Sequence, residues 1–486
     1  MAFESVTRPS FTSRTRRLCV IVMCALAGLA AAARGASDVR TRAVDAIKRA
    51  ARYYRREVAT RGGYVYYYSV DLSTRLGEGV ASRDQIWVQP PGTPTVGRAF
   101  LCAYDATGDT YCLDAATDAA VALTYGQLES GGWTNCIDFD PAGARVARYR
   151  DGPKRGKNNS TLDDGISQAA IALLASVDRA HSFEHGRIHA SARTALDALL
   201  AAQFPNGAFP QVWTGPVSRR PIVKACYPTY DWRTEGRIKE YWDMYTLNDR
   251  VAGTVAETLI TAHQVYGEER FLRALKRLGD FLVLAQMPDP QPAWAQQYSY
   301  EMRPIWARKF EPPAIASHES QDVIEALLVI HAYTKDRAYL APIPRALSYL
   351  KSSRLADGRL ARYYEMQTNR PLYMSRRGKT YTLTYDDSAL PSHYGWKIAS
   401  RVEEIQKRYD AARRGWPGTR KPTAAALKAE AARVVAELDD RGRWISTYAG
   451  EALVGQPKFR TGERYISSAV FAHNLATLAA FVSGTK

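Results

Sequence analysis

Histidine and cysteine are scarce in this chain, eight and six among 486 residues, and their spacing removes whole classes of chemistry. No two cysteines stand as C-x-x-C, so the paired thiolates of a structural zinc site are missing. No H-E-x-x-H occurs, which argues against a zinc hydrolase. A Gly-rich phosphate loop and the G-x-S-x-G elbow are also absent, so neither a nucleotide partner nor serine esterase chemistry is supported. Acidic residues are the minority, 49 against 66 Lys and Arg, for a formal net charge of +17.

Past the first forty residues no apolar run of membrane-spanning length follows. Residues 1–36 read as a secretory signal peptide. Arg8, Arg14, Arg16 and Arg17 precede the apolar stretch from Leu18 to Ala32, and Ala31-Ala32-Ala33 or Ala36 offers small residues for cleavage. Residues 37–486 are then expected to form a single secreted or periplasmic domain, and a monomer. For an exported protein the basic surface suits an acidic polysaccharide or an anionic cell surface rather than nucleic acid. Cys19 and Cys24 leave with the signal. Cys102, Cys112, Cys136 and Cys226 remain for an oxidising compartment, where one or two disulfides are expected. Cys102 and Cys112 are close enough to pair across one loop, and the three connectivities stay open.

What is present is helical periodicity. Gly165–Arg179, His189–Gln203, Asp249–Val265, Glu269–Gln286, Gln321–Tyr333, Tyr339–Ser352 and Pro422–Leu438 carry apolar residues at three- and four-residue spacing. An Arg/Lys-rich helix is expected over 401–436 as a solvated face. Several helices are followed by an aromatic loop: 61–68, 129–139, 205–213, 289–298, 357–364 and 440–448. Such recurrence marks stacked supersecondary units. The expected fold is all-α, an incomplete α/α toroid of helix pairs, with aromatic and Arg-rich loops converging at one end and few short strands. The loop Ala81–Gly97, rich in Pro and Gly, is expected to be non-helical, as a lid or a strap.

The densest chemistry lies in 291–320, where Arg303, Arg308, Lys309, Glu311, His318 and Glu319 stand among Trp294, Trp306, Tyr298, Tyr300 and Phe310. Prolines 304, 312 and 313 break any helix there. Aromatic faces beside fixed cations suit an anionic carbohydrate. Two acidic turns, Thr161-Leu162-Asp163-Asp164-Gly165 and Tyr245-Thr246-Leu247-Asn248-Asp249, open helices, and each taken singly is a helix cap.

Taken together, these segments resemble the pectic acid lyases, family 10 of the polysaccharide lyases. The carriers are Thr161–Ser167, Gln203–Gln211 (QFPNGAFPQ), Leu247-Asn248-Asp249, the run Ala307, Arg308, Phe310, Glu311, Pro313 with Glu319-Ser320, and Ala361–Pro371 with Arg376. They span residues 161–396, leaving 38–160 and the tail after 400 without a placed motif.

The resemblance implies calcium-dependent β-elimination of polygalacturonate or a related uronan. A base removes the C5 proton while the carboxylate beside it is neutralised. It makes Asp163 and Asp249 calcium ligands and Arg308 the base, which implies an alkaline optimum. Arg362, Arg376 and Arg370 would pair with substrate carboxylates, and Asn206, Phe209, Trp294, Gln296, Asn248, Glu311 and Glu319 would line the substrate. The chain departs from the family pattern at Asp164, at Ala208-Phe209, at Tyr298 where a carboxylate is expected, and by an insertion over Val217–Tyr241. His318 and Tyr298 are alternative bases. A toroidal glycoside hydrolase pairing Asp163 or Asp164 with Asp249 or Glu319 is one competing function. A non-catalytic binder of anionic polysaccharide is another.

Overall fold

The computed structural model describes residues 38–415 and 423–484; the signal segment expected at 1–36 lies outside them. Residues 38–53 form helix α1, followed by strands β1 (Tyr67–Ser69), β2 (Arg75–Gly77) and β3 (Gly79–Val80). One unit then recurs four times: a short strand, two helices, and a strand that returns to pair antiparallel with the first. The first is β4 (Gln85–Trp87), α2 (Thr93–Thr107), α3 (Thr110–Tyr125) and β5 (Cys136–Asp138). The second is β6 (Ser160–Thr161), α4 (Ile166–Ala180), α5 (Gly186–Ala201) and β7 (Val212–Trp213). The third is β8 (Tyr245–Thr246), α6 (Val251–Tyr266), α7 (Glu269–Leu284) and β9 (Gln297–Tyr298).

The fourth unit opens with β10 (Ile315–Ala316), α8 (Ser317–Thr334) and α9 (Ile343–Ser352), continues with β11 (Leu360–Ala361), and closes with β12 (Tyr363–Tyr364) against β10. A hairpin of β13 (Pro371–Arg377) and β14 (Thr380–Thr384) extends that sheet. β15 (Lys397–Ile398) pairs with β11 and leads into α10 (Val402–Arg413). The chain ends with α11 (Ala424–Ala436), β16 (Ile445–Thr447), β17 (Arg464–Ser467) and α12 (Ser468–Gly484), where β17 lies between β16 and β1.

Packing turns the units into a toroid. The first helices of the units lie side by side, with α2 on α4, α4 on α6, α6 on α8 and α8 on α10, while α12 packs closely on α2. The second helices α3, α5, α7 and α9 lie against their own partners. α7 shows why: Phe271, Ala274, Leu275, Leu278 and Leu282 are buried on one face, and Arg273, Lys276 and Arg277 lie between them in sequence. Among the described residues, packing of this kind does not join α10 back to α12, so the ring they form is incomplete. A single cluster of buried apolar residues runs from Ala43 to Val482. Among the described residues no helix is long and apolar enough to cross a membrane.

Three expectations need correction. Helix α2 starts at Thr93, inside the segment 81–97 read as non-helical: the break is at Pro90-Pro91-Gly92, and Pro94 sits in the first turn, where its missing N–H has no partner to lose. The helix expected over 401–436 is two, α10 and α11. The strands are short, as expected, and each unit opens and closes with one. The cysteines Cys102, Cys112, Cys136 and Cys226 are all free; Cys102 is on α2 and exposed, and Cys112 is on α3 and buried, so the expected pair does not form.

Candidate active site

The opening strands put the N-terminal ends of the inner helices together at one end of the ring, and two of those ends build the same turn. In Thr161-Leu162-Asp163-Asp164-Gly165 the Asp163 amide donates to the Thr161 hydroxyl at 3.0 Å. In Thr246-Leu247-Asn248-Asp249-Arg250 the Asn248 amide donates to the Thr246 hydroxyl at 3.2 Å. Each turn then passes through two left-handed residues, Asp164 and Gly165 at φ 46° and 75°, Asp249 and Arg250 at φ 51° and 59°. For residues with a Cβ this backbone costs roughly 1 kcal/mol or more apiece. It throws the aspartates of both turns together: Asp163, Asp164 and Asp249 bring carboxylate oxygens within 4.8 Å of one another.

That crowding shows in their protonation. Burial, with Asp163 hydrogen-bonded beside it, pushes Asp249 well above the usual carboxylate range. Burial, then the charges of Asp163 and Glu78, push Asp164 up to about 6. Asp164 is gripped by Gln89, whose Nε2 reaches it at 2.8 Å and Glu78 at 3.1 Å. The segment 81–97 is thus a strap whose Gln89 fixes one carboxylate. The two helix N-termini favour negative charge here, yet three carboxylates exceed what they can hold ionised. An all-oxygen cluster of this kind is a donor set for a hard divalent cation.

Arg308 lies within the field of the cluster, its charge acting on Asp164 and Asp249. Its guanidinium is 2.8 Å from the buried Glu311 carboxylate. Burial lowers its affinity for the proton, but the Glu311 hydrogen bond and charge outweigh that and hold Arg308 above its ordinary value. From Glu311 a chain of hydrogen bonds returns to the cluster. Tyr394 donates to Glu311 at 2.9 Å, and its oxygen lies 2.9 Å from that of Tyr363, a contact that either hydroxyl can bridge only by giving up its other acceptor. Tyr363 donates to Gln296, Gln296 Nε2 to Asn248 Oδ1 at 3.1 Å, and Asn248 to Asp249. Every member from Glu311 to Asp249 has a polar partner, so Glu311 and the acidic cluster are held in fixed register. Tyr241, half-buried, lies within the fields of Glu311, Arg308, Asp163 and Asp249.

With this geometry in hand, comparison with known proteins identifies the region. The pectic acid lyase family model matches residues 127–359. The class of enzyme that goes with the match is polysaccharide lyase. A comparison with curated proteins gives no significant match. Among solved structures the chain is similar to a family 10 polysaccharide lyase mutant from Cellvibrio cellulosa in complex with trigalacturonic acid, at 19% identity over 61% of this chain and 92% of that one, TM-score 0.45. It is also similar to cellobiose 2-epimerase from Spirochaeta thermophila DSM 6192, at 13% identity over 93% and 98%, TM-score 0.47.

The pectic acid lyase region starts earlier than the motifs suggested, taking in 127–160. It ends at 359, before Arg362, Tyr363, Tyr394 and the β13–β14 hairpin, all of which the structure nonetheless places on or beside the network.

Several residues expected to touch substrate are held by the protein instead. Trp294 is fully buried and its indole N–H donates to the Leu282 carbonyl at 2.8 Å. Trp133 does the same to Leu123, and Trp444 to Val434, both at 2.9 Å. In each case the acceptor is the third residue from the end of its helix, in the last turn where carbonyls lack the usual partner four residues on; Leu123 also accepts from the Gly126 amide at 3.1 Å. The aromatic repeat is therefore a helix-end plug rather than a stacking platform. Phe209 is 1% exposed and takes the corresponding place after α5.

Asn206 is buried and accepts from the Ala208 amide at 3.1 Å to make a turn. At the next position, Gly207 with φ 92°, any Cβ would lie 1.8 Å from the Arg277 carbonyl oxygen. Tyr298, where a carboxylate is expected, is buried with its hydroxyl on the Ala285 carbonyl at 2.8 Å, which removes it as a base. Arg362 is locked 2.8 Å from Glu319, at 12% and 0% side-chain exposure, and stacks over Tyr394 at 4.5 Å. Burial opposes the Glu319 charge, but Arg362 and then His318 outweigh it and lower Glu319 to about 2.

Arg370 lies over Tyr385 at 3.5 Å and Arg376 over Tyr381 at 5.5 Å on the exposed hairpin. The insertion folds onto the Arg308 segment, with Arg237 over Trp306 at 3.9 Å. His181, His185 and His189 recur at four-residue spacing but serve locally, on Thr117, as the α5 cap and on Asp178. Sequence reading missed Gln89, Tyr241, Tyr363 and Tyr394; only the position of Tyr363 beside Arg362 hinted at any of them.

Proposed function

We propose that this chain is a secreted or periplasmic pectate lyase that cleaves α-1,4-polygalacturonate, or a closely related uronan, by calcium-dependent β-elimination. The observation that carries the reading is the Asp163, Asp164 and Asp249 cluster with Arg308 in its field, all four inside the stretch that matches the pectic acid lyase model. The donor atoms fit a hard cation, and Asp249, held above its ordinary range, is the carboxylate that a cation would relieve. Calcium there would supply the positive charge that neutralises a uronate carboxylate and acidifies the neighbouring C5 proton.

Arg308 is the proton acceptor in this reading. It keeps its own proton while Glu311 is its partner, so it must turn from Glu311 toward the cluster, where added positive charge disfavours its protonated form. The Glu311 contact favours a second reading, in which Arg308 stays charged and clamps a uronate carboxylate while another group takes the proton.

The carboxylate pairs offered for a glycoside hydrolase do not fit. Asp163, Asp164 and Asp249 each bring an oxygen within 4.8 Å of the others, gathered on one point rather than set on either side of a sugar, and Glu319 is sealed against Arg362. The test is product chemistry: elimination gives a 4,5-unsaturated uronate that absorbs in the near ultraviolet, and hydrolysis does not. A chain that binds uronan but forms neither product is a binding protein.

A further inference from the structure

Beside the acidic cluster, on the inner faces of α2, α4 and α6, is a cavity of about 340 Å³, within the size range of small-ligand sites. Arg98 from α2 and Arg250 from the second turn both line it. Both are exposed, and among the described residues neither guanidinium has a hydrogen bond or an ion pair. Nearly every other arginine near the site is committed, Arg308 to Glu311 and Arg362 to Glu319. Gln168 lines the same cavity. Its side chain is 2% exposed and its Nε2 donates to Leu162 and Thr254, yet its Oε1 has no partner. A buried acceptor without a donor calls for one from a ligand.

The backbone singles out Arg250. The two turns match residue for residue, and Arg250 stands where the first has Gly165, both left-handed. Glycine adopts that conformation freely and arginine does so against its own Cβ. A strained arginine in a glycine position implies that its side chain is needed.

We infer that this cavity is a binding subsite for one hexuronate unit of the polymer, with its carboxylate on Arg98 and Arg250 and a ring hydroxyl donating to Gln168 Oε1. The inference rests on the uronan reading above. Arg98 lies outside the pectic acid lyase match, so the N-terminal segment contributes to substrate binding. Glu257 also lines the cavity and repels a carboxylate on its side, which leaves the two guanidinium groups to hold it.

Isothermal titration of trigalacturonate into the full chain with calcium tests it, in an Arg308→Ala background that slows cleavage. Arg98→Gln and Arg250→Gly are each expected to weaken binding about tenfold. Arg250→Gly is expected to melt at the same temperature as its parent or higher, because glycine suits the turn. Parent-like affinity in both variants overturns the subsite, as does a parent chain that binds no trigalacturonate. Cleavage by the wild-type chain is assayed separately. Binding that depends on both arginines without unsaturated product would leave the subsite standing and sink the lyase reading; cleavage with unaltered binding in the variants would do the reverse.

Discussion

The Arg308 guanidinium and the Glu311 carboxylate stand 2.8 Å apart, one half-exposed and the other buried, so the residue proposed to accept a proton is held in its charged form by a neighbour three positions away. Glu311→Gln removes the charge that raises Arg308. If Arg308 is the base, its neutral form becomes easier to reach, and the acid limb of the pH–rate profile moves to lower pH. If Arg308 is only a clamp, the limb stays and KM rises. Arg308→Ala should lose at least about a hundredfold in kcat under the first reading.

Arg362 and Glu319 form a buried pair, and removing one partner strands the other. Arg362→Ala should destabilise the fold by about 3–5 kcal/mol in urea unfolding, a loss that an exposed substrate contact would not produce. Glu319 is lowered to about 2, below its unfolded value. The stability it contributes is therefore full above the unfolded carboxylate range and fades as pH falls toward 2.

Trp294 plugs the end of α7. Trp294→Ala should cost about 3–5 kcal/mol, and Trp294→Phe less, since it loses the bond to Leu282 but leaves a smaller cavity. The affinity of the folded protein for oligouronate should not change in either. Weakened binding at full folding would return Trp294 to the substrate site.

Helix positions and unit order were legible because apolar residues recur at helical spacing in α4 to α9, and because each aromatic loop follows an outer helix. The role of those aromatics was not legible, since a ring that plugs a helix end and a ring that stacks on sugar look alike in one dimension. The acidic turns were found through their motifs, whereas Tyr394 and Gln89 are linked to them only by the fold, from 145 and 75 positions away respectively. α2 was missed because Pro90-Pro91 hides a helix start two residues later.

Asp164 rises to about 6 and Asp249 moves the same way. In chelator-treated protein these two groups therefore hold more protons in the folded state than in the unfolded state between about pH 4 and 6. Its stability should fall as pH rises through that window. Added calcium should raise the melting temperature more at pH 8 than at pH 5, and Asp249→Asn should flatten both responses. A melting temperature indifferent to calcium at either pH would count against a cation at this cluster.

The most direct measurement of the central claim is near-ultraviolet absorbance during incubation with polygalacturonate and other uronic-acid polymers, with calcium or with chelator, for the wild-type chain and Asp249→Ala. The account predicts unsaturated product from the wild-type chain with calcium, little with chelator, and little from Asp249→Ala at ordinary calcium concentrations. Equal rates with and without chelator, or reducing ends without absorbance, would contradict it.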